Sequence, residues 1–81
     1  MEYDEDKVDD MVLALLWLTT FEEKRFGQIV RRAWKGHDWD ALSRLHKKRF
    51  IDNPVGKAKS VSVTDEGAKR SEELFRQFFG K

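Results

Sequence analysis

What most constrains this chain is the order of patterns from Leu42 to Phe79. A basic helical pattern, Asp38-Trp39-Asp40-Ala41-Leu42-Ser43-Arg44-Leu45-His46-Lys47-Lys48, runs into a short apolar strand at Phe50-Ile51. Asn53-Pro54-Val55-Gly56 follows and has the residues of a turn. Lys57 and Lys59 sit on the tip or its descending limb, and Ser60-Val61-Ser62-Val63 alternates as a half-buried strand does. Thr64 precedes Asp65-Glu66-Gly67 and reads as the cap of a closing helix. Helix, strand, basic hairpin, strand and helix in this order predict a two-stranded antiparallel hairpin between two helices.

The first half reads as helical. Val8, Met11, Val12, Leu15 and Leu18 recur at helical spacing and predict helix one from about Glu5 to Thr19. Leu13, Leu16 and Trp17 widen its stripe until it is apolar nearly all round, which suits a central helix or a dimer contact. Thr20 stands three residues before Glu23, the spacing of a capping box, and predicts helix two from near Phe21. Phe26, Ile29, Val30 and Ala33 would line its inner face, with Arg25, Arg31, Arg32 and Lys35 outside. Gly27 weakens that helix, and one unbroken helix from Glu5 to Trp34 competes with it. Asp38 caps helix three, whose inner stripe is Trp39, Leu42 and Leu45; Asp40, Ser43, Arg44, Lys47 and Lys48 face outward. Helix four buries Ala68, Ser71, Leu74, Phe75, Phe78 and Phe79 and stops at Gly80.

With 81 residues the chain is one domain, 1–81, and it has no cysteine, which excludes disulfides and thiolate metal sites. The longest apolar run, Met11 to Leu18, is too short to span a bilayer, and the acidic start is the wrong charge for a secretory leader. Cytoplasmic location is the expectation. The net charge of +1 hides a split: residues 1–10 carry −5, residues 24–59 carry +8, and residues 60–81 balance. A basic middle is a possible polyanion footprint. His37, Asp38, Asp40 and His46 match no standard ligand spacing, and no phosphate loop, nucleophile elbow or HExxH run is present. No enzyme, metal or cofactor is expected. Trp17, Trp34 and Trp39 read as packing residues, and the aromatic excess of helices one and four reads as the seam of a homodimer.

Leu42, Leu45, Phe50-Ile51, Lys57, Lys59 and Val63-Thr64-Asp65-Glu66-Gly67 resemble the second half of the winged-helix domain of MarR-type and PadR-type bacterial regulators. Across nearly the whole chain, Met1 to Asp10, Ala33 to Asp40 and Arg44-Leu45-His46 resemble a family of small uncharacterised bacterial proteins. The resemblance implies an α+β winged helix-turn-helix: three N-terminal helices, a two-stranded wing and a C-terminal helix. It departs from the regulators at Arg49, where they place a glycine with left-handed backbone, and at Lys57 and Lys59, where many brace the wing with an Asp-x-Arg pair. The function expected is a transcription-regulator-like module on double-stranded DNA. Ser43 and Arg44 would read bases in the major groove, while Lys47, Lys48, Lys57, Lys59, Arg31 and Arg32 would hold phosphates. The alternative is a winged-helix module that binds another protein and no DNA.

Overall fold

The computed structural model describes residues 1–81. Helix α1, Glu5–Leu18, starts where the Asp4 carboxylate accepts the Lys7 amide at 3.1 Å. It ends where the Thr20 hydroxyl donates to the Leu16 carbonyl at 2.8 Å. Thr20 therefore closes the first helix and opens no second one.

Phe21–Arg25 is strand β1 and Gln28–Trp34 is strand β2, paired antiparallel from Phe21–Arg32 to Arg25–Gln28. This hairpin replaces both the expected second helix and the alternative of one helix from Glu5 to Trp34. The turn decides it: Phe26 at φ 50° and Gly27 at φ 77° are consecutive left-handed residues, the geometry that joins two twisted strands through a two-residue loop. Ile29 and Val30, β-branched, favour the extended chain that follows.

Helix α2, Trp39–Lys47, is capped by Asp38, whose carboxylate accepts the Ala41 amide at 3.1 Å. Ala41, Leu42 and Leu45 face the core. Trp39, expected on that inner stripe, is 56% exposed and instead carries the Lys35 ammonium 5.9 Å from its ring centre. Just past the helix, Arg49 has φ 67°, the left-handed conformation expected there.

Strand β3, Ser60–Ser62, pairs with β2, giving a three-stranded antiparallel sheet in the order β1-β2-β3. The expected two-stranded wing is thereby corrected. Ile51 meets Val63 in one isolated bridge, supported by the Asp52 amide donating to the Ser62 carbonyl at 2.9 Å. The loop between them is anchored to β2's end. The Lys35 ammonium donates to the Pro54 and Gly56 carbonyls at 2.6 and 3.1 Å, and its amide donates to Lys59.

Helix α3, Asp65–Phe79, is capped by Thr64, whose hydroxyl accepts the Gly67 amide at 2.9 Å. The same hydroxyl donates to the Arg49 carbonyl at 2.8 Å. A Cβ on Gly67 would collide with the Phe50 carbonyl, so glycine lets α3 start flush against that backbone. α3 lies along α1, where the buried Ser71 hydroxyl donates to the Leu13 carbonyl. Leu13, Leu16, Leu42, Leu45, Ile51 and Leu74 are fully buried between the helices and the inner face of the sheet. Each such side chain contributes roughly 1.5–3 kcal/mol.

Candidate functional site

The outward face of α2 meets α1. Arg44 Nε donates to both Asp9 carboxylate oxygens at 2.9 Å, and its Nη1 donates to Glu5 at 2.9 Å. The Nη2 lies 2.8 Å from Asp9 Oδ1 without hydrogen-bonding geometry. Lys48 reaches the same carboxylate at 3.0 Å and Asp6 at 3.1 Å. Asp9 is 0% exposed, covered by these side chains. Burial pushes its pKa up, but the hydrogen bonds and charges of Arg44 and Lys48 outweigh burial and hold it below the usual carboxylate range. The Asp9 hydrogen bond raises the Arg44 pKa, and Asp9 and Asp6 raise that of Lys48 against its own desolvation.

Other expected phosphate contacts are also engaged within the chain. Arg31 Nη1 pairs with Asp65 at 3.1 Å, at the start of α3. Arg32 ties β2 to β3, its Nε donating to Ser60 Oγ at 2.7 Å and its Nη1 to Ser62 Oγ at 2.9 Å. Ser43, Lys47, Lys57 and Lys59 are exposed, and none of the three lysines has an acidic partner. The expected base-reading pair is thus split: Ser43 faces solvent while Arg44 is locked to α1.

The histidines have separate local settings. His46 Nδ1 lies 3.1 Å from the Ile51 carbonyl, and burial pushes the His37 imidazole below its ordinary pKa.

Asp9 is the residue that matters most here and that the helical stripe did not single out. Its signal is a carboxylate at the spacing of Val12, Leu13 and Leu16, all buried on one side of α1. The adjoining side of α1, sharing Val12, bears an open groove of about 390 Å³, lined by Tyr3, Val8, Met11, Val12 and Leu15 with Asp4 and Lys7 at its rim. Its exposed lining is apolar.

A family model for a domain of unknown function, DUF6429, matches residues 4–81. The chain belongs to the DUF6429 family. The match runs from Asp4, the cap of α1, through all of α3, so every element above lies inside the DUF6429 domain. A relative from Sinorhizobium fredii (strain NBRC 101917 / NGR234), the uncharacterized protein y4hR, is 57% identical over 79 residues, covering 98% of this chain and 97% of its own length. The family resemblance expected from the Ala33-to-Asp40 and Arg44-to-His46 stretches is therefore that of a small uncharacterised bacterial family. No solved structure matches the DUF6429 chain. No helix in it is long and apolar enough to cross a membrane.

Proposed function

We propose that this DUF6429 chain is a cytoplasmic protein-interaction module on a winged-helix-like scaffold, acting without base readout by α2. The observation that carries the reading is the two-sidedness of α1. Glu5, Asp6 and Asp9 on one side neutralise Arg44 and Lys48, two of the cations expected to meet a duplex. Val8, Met11 and Leu15, on the adjoining side above buried Val12, offer an apolar groove to solvent. An open apolar groove on a helix is the surface that accepts an amphipathic helix of another protein.

The scaffold reading rests on α2, left-handed Arg49, the Ile51–Val63 bridge and the Thr64 cap, which follow one another as in the second half of a winged helix. Where a helix-turn-helix has its first helix across the DNA backbone, this chain has the β1–β2 hairpin. α1 and α3, the expected dimer seam, pack on each other within the chain and leave Leu15, Leu18, Phe78 and Phe79 exposed for a partner.

The test combines cross-linking in cells, read by mass spectrometry, with duplex binding by fluorescence anisotropy at two salt concentrations. A partner chain cross-linked to the wild type and lost in Leu15→Glu, with no duplex binding, is expected. Duplex binding that falls steeply with salt and weakens in Lys57→Ala would overturn the reading. A second reading, duplex contact through the backbone alone, is favoured by the freedom of Lys47, Lys57 and Lys59; the same anisotropy series decides it.

A further inference from the structure

We infer that β1 is a homotypic docking edge, on which a second copy of this chain pairs antiparallel with Glu23 at the two-fold axis. The inference is independent of the reading above, since it uses neither the α1 groove nor α2.

The sheet has one open edge. β2 is central, and β3 is flanked on its far side by the Ile51 bridge and the Asp52 amide. β1 pairs only with β2. Which of its backbone groups face outward follows from the neighbouring ladder. The Val63 amide donates to the Arg31 carbonyl at 2.8 Å and the Lys35 amide to Lys59, so these odd-numbered residues turn toward β3. The Trp34 amide donates to Thr19 Oγ1 at 3.1 Å, so the even-numbered ones turn toward β1. In an antiparallel ladder, bonded and non-bonded pairs alternate. Arg32–Phe21, Val30–Glu23 and Gln28–Arg25 are then the bonded pairs. The amides and carbonyls of Glu22 and Lys24 are left pointing away from the sheet.

Self-pairing of those outward groups selects a register. With Glu23 on the axis, Glu22 faces the partner's Lys24 in a bonded pair, and the reverse pair repeats it. Phe21, half exposed, faces the partner's Arg25. Centring on Glu22 would oppose two carboxylates in the bonded position, and centring on Lys24 would oppose two ammoniums; like charges directly opposite are unfavourable. The axis does bring two Glu23 carboxylates together, but each already has Arg25 Nε at 3.0 Å and Arg32 Nε at 3.8 Å. Outside its central Glu23, the sequence Phe-Glu-Glu-Lys-Arg sets each glutamate against a lysine when read backwards. An isologous two-fold contact needs that property. Strands of this length bury less than the ~1,200–2,000 Å² of a stable interface, so the dimer is reversible and concentration-dependent.

Sedimentation velocity from low micromolar to millimolar concentration tests it, with circular dichroism confirming that each variant is folded. The wild type is expected to dimerise. Glu22→Lys and Lys24→Glu, made singly, are each expected to weaken the dimer about tenfold, by replacing two attractive pairs with two repulsive ones. Mixing the two variants is expected to restore wild-type association, since each then faces its complement. Because the chain has no cysteine, Glu23→Cys gives a clean probe of the axis and is expected to cross-link on mild oxidation, whereas Leu18→Cys is not. A wild type that stays monomeric overturns the inference. So does a dimer that ignores both charge reversals, or one lost in Leu15→Glu, which would belong to the α1 groove.

Discussion

Arg44 Nε stands 2.9 Å from both carboxylate oxygens of Asp9, joining α2 to α1 across 35 positions of sequence. Removing a partner from a covered charge pair is more costly than never having built one. Asp9→Ala is expected to lower stability by about 2 kcal/mol at neutral pH, less than a deeply buried pair would lose because Arg44 and Lys48 reach solvent. Urea unfolding of the two proteins checks this.

The same pair sets an acid dependence. Asp9 has a folded pKa below its unfolded one, near 3.9. Its contribution is therefore complete above that value and is lost as pH falls through the lower, folded value. Asp9→Asn is expected to show a shallower loss of stability below about pH 4 than the wild type. Equal slopes in urea titrations across that range would contradict it.

Of the five glycines, Gly67 leaves the least room for a side chain. Gly67→Ala would drive a methyl group into the Phe50 carbonyl, so either α3 moves or the Thr64 cap opens. A loss of about 3 kcal/mol is expected. Thermal unfolding should show it as a fall in Tm of at least about 10 °C.

Two non-glycine residues hold the left-handed backbone that the hairpin turn and the end of α2 require. Phe26 is fully exposed at φ 50°, and Arg49 is exposed at φ 67°. Phe26→Asn restores the residue pair that this turn prefers, and Arg49→Gly relieves the Cβ clash. Each is expected to stabilise by about 0.5–1 kcal/mol, measured by urea unfolding.

The second half of the chain was legible because its signals are local. The caps Asp38 and Thr64 act within three residues of themselves, and the left-handed Arg49 follows from where a helix must end. The region Phe21 to Trp34 misled for the same reason. Thr20 and Glu23 have capping-box spacing, and Phe26, Ile29, Val30 and Ala33 fit a helical stripe. What overrides them is a turn made by Phe-Gly in place of the usual Asn-Gly, and pairing with Ser60–Ser62 far along the chain. β3's ladder with β2, added to its bridge with Ile51, is equally non-local, since Val61 is buried opposite Ala33. At the site, Ser43 and Lys47 are exposed, but Arg44 and Lys48 turn to α1, because the carboxylates that engage them come from that distant helix.

The β1–β2 hairpin outruns β3, which pairs only with Arg32 to Trp34. From Lys24 to Ile29 its residues are exposed and none belongs to the core, so its length is uncoupled from the registration of the core. Doubling a loop there costs only about 0.6 kcal/mol. The turn is thus a natural point of attachment: a fluorophore, an affinity handle or a foreign epitope set between Phe26 and Gly27 would ride outward on two strands while the helices beneath stay in place.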